Sequence, residues 1–184
     1  YSRDHKKVSE INFQNTNRSC FPNKQLNKKL KATSDKNTIS NADIILIALP
    51  SNVIIENLSI LKPDLPKDFL LVNLSKGLLA GGITIVESIK TELGINNVVT
   101  LKGPSFAVEV MEHADTLLTL GYTTSKQCRL IKEIVKDTAL HLDFTTDIRA
   151  VEVLSVLKNI YALILGVVDA KYNSPNTRFM ILTK

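Results

Sequence analysis

The stretch Asn41-Ala42-Asp43-Ile44-Ile45-Leu46-Ile47-Ala48-Leu49-Pro50-Ser51 decides the fold class. The run from Ile44 to Leu49 is unbroken and apolar, too short for a buried helix, and reads as a strand covered on both faces. Pro50-Ser51 ends it where Ser51 can cap a following helix. Phe69 to Leu74 repeats the arrangement, leads into Ser75-Lys76-Gly77, and is followed by a helix over about 83–93 that Gly94 stops. Val98 to Leu101 forms a third strand, running into Gly103-Pro104-Ser105 and a short helix to about Met111. Thr116 to Leu120 and His141 to Thr145 add two more around a helix from roughly Ser125 to Thr138, whose Leu130, Ile131, Ile134 and Val135 make an apolar stripe. Short β-type runs alternating with helical ones make the chain α/β.

At Asp147, which can cap a helix, the pattern changes. One long helix follows that is apolar almost all round, with Val151, Val153, Leu154, Val156, Leu157, Ile160, Leu163, Ile164, Leu165, Val167 and Val168. Such a helix is expected to be buried, as the link into a mainly helical domain. Lys158 and Asn159 interrupt it, so no membrane span is expected. The ends, Tyr1-Ser2-Arg3-Asp4 like the tail of a strand and Met180-Ile181-Leu182-Thr183-Lys184 still apolar, are expected of a fragment or of a chain that has lost its flanks.

Composition narrows the function. Aromatic residues are 5% of the 184, with no Trp, too few for the stacking platforms that hold carbohydrate or single-stranded nucleic acid. The net charge of +5 is lopsided: residues 1 to 40 hold nine Lys or Arg against three Asp or Glu, and the remainder is nearly neutral. That reads as a solvated face, with a phosphate-binding surface as the alternative and a nucleic-acid arm as the weakest choice. Cys20 and Cys128 make neither a metal spacing nor a disulfide framework, which fits a soluble protein of a reducing cytoplasm. His5, His113 and His141 are scattered without metal-ligand spacing, and no metal is expected. There is no Gly-x-Ser-x-Gly elbow to suggest a hydrolase.

Ligands of open parallel sheets bind outside the carboxyl ends of the strands. Pro50-Ser51, Ser75-Lys76-Gly77 and Gly103-Pro104-Ser105 all follow apolar strands, and parallel strands would bring them to one edge. Lys76 offers a mobile cation and Gly77 a close backbone approach, which suits a phosphate; an ordinary exposed loop lysine is the alternative. Gly103-Pro104-Ser105 reads either as an anion or polyol site or as a plain helix cap. Lys158 shares a helix face with Leu154, Tyr161 and Leu165. A desolvated amine there would be a usable general base; snorkelling, or pairing with Glu152, is the structural alternative.

In this order and spacing, Tyr1-Ser2-Arg3-Asp4, Phe21-Pro22-Asn23, Asn41 to Ser51, Leu74-Ser75-Lys76-Gly77, Leu101 to Val110, Val151-Glu152 to Leu157-Lys158-Asn159-Ile160, and Asn176-Thr177-Arg178 resemble the NAD(P)-dependent glycerol-3-phosphate dehydrogenase family. The resemblance implies a partial Rossmann-type, doubly wound, mainly parallel sheet at 1–146 and the start of an all-helical C-terminal domain at 147–184. It implies that Lys158 is the proton acceptor and that Lys76, Gly103, Ser105 and Lys158 bind substrate. Arg3, Pro50, Ser51, Lys76 and Ala107 would contact NAD or NADP, with Arg3 near the adenosine ribose. The implied reaction converts sn-glycerol 3-phosphate to dihydroxyacetone phosphate and feeds glycerophospholipid synthesis, and a homodimer is compatible with it. A related two-domain dehydrogenase for another hydroxy acid or sugar phosphate, and a degenerate non-catalytic homologue, are the alternatives. Relative to the family pattern, the Gly-rich dinucleotide loop would lie upstream of Tyr1, Val156 is bulkier than expected, and Ala170-Lys171-Tyr172-Asn173-Ser174-Pro175 stands where a Gly-rich turn is expected.

Overall fold

The computed structural model describes residues 1–172 and 174–183. Asp4 accepts the backbone N–H groups of Lys6 and Lys7 at 2.9 and 3.1 Å and opens helix α1 (His5–Gln14). Tyr1 to Asp4 forms no strand of the described sheet. An aspartate that caps the next turn commits the chain to a helix, and Ser2 N–H bonds to the Thr33 carbonyl at 2.9 Å.

Five strands form one sheet in the order β1 (Ile44–Ile47), β2 (Leu70–Asn73), β3 (Val98–Lys102), β4 (Thr116–Gly121), β5 (Leu140–Thr145). Helices α2 (Ile54–Leu61) and α3 (Ile85–Leu93) make the crossovers that keep β1, β2 and β3 parallel. Between β3 and β4 there is only α4 (Ala107–Met111), a helix of five residues, and the chain returns antiparallel. Helix α5 (Ser125–Val135) restores a parallel β4–β5 pair. The sheet is thus mixed and mainly parallel, a Rossmann-like architecture.

Side-chain alternation splits the core into two layers. Leu71 and Val98 pack with Ile54, Leu58, Ile85 and Ile89 on one face, and Leu70, Val72, Val99 and Leu120 pack with Ile131 on the other. β2 is buried throughout. β1, read from its apolar run as covered on both faces, lies at the margin of the described sheet, with Leu46 61% exposed. Of the stripe on α5, Ile131 is buried, while Leu130 and Ile134 remain exposed.

Asp147 caps α6 (Ile148–Tyr172), accepting Ala150 N–H at 2.9 Å. The helix departs from its expected burial: Ile148, Val151, Glu152 and Ser155 are buried where it meets β3 and β4, whereas Leu154, Ile160, Leu163 and Val167 face outward. Lys158 and Asn159 do not interrupt it, and its 25 residues are by length and composition long and apolar enough to cross a membrane. The buried first turns instead pack on the sheet. α7 (Pro175–Thr183) follows, with Arg178 3.6 Å from Asp169 on α6. Within the turn expected at 170–175, Asn173 lies outside the described residues, as does Lys184 at the expected apolar end.

Candidate active site

Because β1, β2 and β3 are parallel, the loops after Ile47, Asn73 and Lys102 leave the same edge of the sheet. Ser75 stitches two of them together: its hydroxyl accepts Leu49 N–H at 3.0 Å, and its own N–H bonds to the Asn73 side-chain oxygen at 3.0 Å. Gly77 sits at φ +145°, and a Cβ there would lie 2.6 Å from the Cβ of Ser51. The Pro50-Ser51 and Ser75-Lys76-Gly77 loops are in contact because position 77 carries no side chain. Ser51 packs in this way rather than capping α2, since a 3-10 turn at Ser51–Val53 comes first and has no side-chain cap.

The third loop leaves β3 through Gly103, where a Cβ would meet the Leu117 carbonyl of the neighbouring antiparallel strand at 2.5 Å. This close approach lets Gly103 and Pro104 wall a cavity of about 200 Å³ together with Lys76, Lys102, Ser155 and Lys158. Four of the expected site residues therefore lie close together. Lys76, Gly103 and Lys158 share the cavity, and Ser51 abuts the loop of Lys76. Pro50 and Ser105 are exposed on the flanking loops and Ala107 is exposed at the start of α4; none of the three lines it. Ser105 provides no cap: Phe106 is the N-cap residue of α4 and makes no side-chain cap bond. Arg3 is exposed beside α1, two residues past Tyr1, which lines a separate cleft along β1.

The charge distribution differs from the one expected. Lys158 is exposed on α6 rather than enclosed among aliphatic side chains, and Asn159 is exposed beside it. Glu152 is not its partner. The buried lysine is Lys102, 5% exposed, and Glu152, 1% exposed, lies 3.9 Å from its amine. Burial pushes the Lys102 ammonium down to about 8, with Glu152 opposing the drop and Lys76 adding to it. Lys76 is also held below the usual lysine range, first by desolvation at the cavity mouth and then by the neighbouring Lys158 amine. Two like charges at one small cavity favour the entry of an anion.

Beneath the cavity is a polar cluster that the sequence reading passed over. Glu152 accepts from the Asn73 amide, from the Thr100 hydroxyl at 3.1 Å, and from Val86 N–H at 2.9 Å. The last bond satisfies one of the free N–H groups in the first turn of α3, where a negative charge also opposes the helix dipole. Lys102 donates to the main-chain carbonyls of Asn73, at 3.0 Å, and Ser75. The signal was present. Asn73 ends a wholly buried strand, Thr100 is its partner in register, and Lys102 lies two residues on, on the same face. Polar residues at matched buried positions need partners.

Residues 1–128 match the family described as the N-terminal part of NAD-dependent glycerol-3-phosphate dehydrogenase. The chain is 33% identical over 191 residues to the glycerol-3-phosphate dehydrogenase, NAD(P)+ type, of Malacoplasma penetrans, covering 98% of this chain and 55% of that protein. It is 32% identical to the Bacillus subtilis protein of the same name, covering 96% of this chain and 53% of the relative. The crystal structure of glycerol-3-phosphate dehydrogenase from Coxiella burnetii superposes with a TM-score of 0.83 at 27% identity, over 98% of this chain and 56% of that one. The chain spans about half the length of the curated relatives it matches. On sequence and fold alike, it belongs to the NAD-dependent glycerol-3-phosphate dehydrogenase family.

Proposed function

We propose that the protein carrying this chain interconverts sn-glycerol 3-phosphate and dihydroxyacetone phosphate with NAD or NADP. The observation that carries the reading is the meeting of Lys76 and Lys158 at a small cavity on the carboxyl edge of the sheet. Both amines face the same cavity, so one can contact the phosphorylated substrate while the other accepts a proton. We assign the proton acceptor to Lys158, which takes the hydrogen of the substrate's C2 hydroxyl on Nζ, and the electrostatic contact to Lys76. Gly103 would bring main chain against the substrate from the opposite wall, with Ser105 at its rim.

The strand-end residues fit a dinucleotide. Ser51 and Lys76 supply a hydroxyl and a cation, and Gly77 leaves the loops without a side chain where they meet. Pro50, Ser51, Lys76, Ala107 and Arg3 are the proposed cofactor contacts. When bound, the nicotinamide exchanges hydride with C2 of the substrate. Asp147 marks the proposed boundary between the dinucleotide-binding part, 1–146, and the helical part, 147–184. The free thiols of Cys20 and Cys128 agree with a reducing cytoplasm, and a homodimer is the assembly to be tested by sedimentation.

The test is NADH or NADPH oxidation driven by dihydroxyacetone phosphate in the protein carrying this chain. Lys158→Ala is expected to lower kcat by about 10²–10⁴-fold, the contribution of a positioned acid–base group. An unchanged rate removes Lys158 as proton acceptor. Equal turnover of an unphosphorylated hydroxy acid would instead favour a dehydrogenase of another substrate.

A further inference from the structure

The buried Lys102–Glu152 pair has no part in the reaction as assigned. Burying two ions costs several kcal/mol each, and apolar side chains of similar volume commonly give equal or greater stability, so stability alone is a weak reason for the pair. Its connections point to another reason. The amine of Lys102 faces three acceptors: the Asn73 carbonyl, the Ser75 carbonyl and the Glu152 carboxylate. Ser75 directly precedes Lys76. Glu152 is on α6, the helix that carries Lys158, and it also accepts from Asn73, Thr100 and Val86. The two cavity lysines are therefore attached to the same buried cluster, one through the carbonyl before it and the other through its helix.

We propose that Lys102 and Glu152 are a positioning pair that locks the Ser75-Lys76-Gly77 loop onto α6 and so sets the apposition of Lys76 and Lys158. Lys102 is not a substrate ligand, because its protons are directed at protein acceptors and its side chain is 5% exposed. Lys76 works through its own amine; Lys102 and Glu152 act only through Lys76 and Lys158. The inference rests on the dehydrogenase reading for the importance of that apposition, but its test does not use turnover.

The test is lysine-by-lysine trace acetylation of the whole chain between about pH 6 and 11, read by mass spectrometry, with exposed Lys136 as internal reference. In the native chain Lys76 is expected to titrate below the ordinary lysine range. Lys102→Met both frees the loop and removes a nearby positive charge, and the Lys76 midpoint is expected to rise by roughly one unit, a tenfold change in its protonated fraction. Glu152→Gln separates positioning from simple charge: loss of a buried negative charge alone lowers the Lys76 midpoint, whereas release of the loop from α6 raises it. Cooperative thermal unfolding establishes that each variant is folded. An unchanged Lys76 midpoint in Lys102→Met, a lowered one in Glu152→Gln, or the failure of both variants to fold overturns the proposal. If the midpoints shift as expected while the protein carrying the chain turns over no glycerol phosphate, the dehydrogenase reading fails and the positioning pair stands.

Discussion

The two halves of α6 have nearly the same hydropathy and opposite environments. Toward its N-terminus, Ile148, Val151, Glu152 and Ser155 are buried against the sheet and α3. Beyond Leu157 the aliphatic side chains of Ile160, Leu163, Ile164 and Val167 are open to solvent, with Val168 the one residue of that half that is buried. Apolar sequence says that a surface would gain by burial; only the presence of a facing element decides whether it is buried. Lys158 stands at the border, anchored from one side and open on the other, which is where a group that must meet a soluble ligand can be held.

The sharpest way to break this contrast is at the buried end. Glu152→Ala leaves Lys102 an unpaired buried cation and removes the acceptor of Val86 N–H, and should cost about 3–5 kcal/mol in urea unfolding. The pH dependence of stability gives a smaller effect. The folded-state value of Lys102 is about 8 against the ordinary 10.5, so between those values the unfolded chain binds more protons. The contribution of Lys102 to stability therefore rises with pH across that window, at up to about 1.4 kcal/mol per unit, and its burial penalty is fully present below pH 8. Comparing denaturation of the native chain with Lys102→Met over the window should show the rise in the native chain and its absence in the variant. At the exposed end, Leu163→Gln in this 184-residue chain by itself should change stability by no more than about 0.5 kcal/mol. A loss of several kcal/mol there would show that this half is packed in solution and dissolve the contrast.

The fold was legible where local signals and burial agreed. The runs at Ile44, Leu70 and Val98 became three parallel strands, and Gly94 and Asp147 ended and began helices as their residue types dictate. Strand order was not legible, because an apolar run reads alike in a central and an edge strand and the order is set by long-range pairing. The reversal at β4 escaped for the same reason, although the short helix ending at Met111 was read correctly. In the site, Lys76, Gly103 and Lys158 converge as their positions at strand ends and on the helix suggested. Lys102 was missed because a lysine at the end of a strand looks solvated until its neighbours in space, Asn73 and Glu152, are known. Lys158 drew notice for its apolar neighbours in sequence, yet the enclosure those neighbours implied belongs to Lys102 instead.

The crowding of Lys76 against Lys158 makes ligand entry an acid–base event. An anion placed between the amines offsets their repulsion and restores proton affinity to Lys76, so binding draws protons from the medium. Affinity for an anion must then weaken as hydroxide rises, and the apparent heat of binding includes the ionisation heat of whatever buffer donates the proton. The cavity exchanges solvent protons as well as ligand, even before any chemistry at carbon begins.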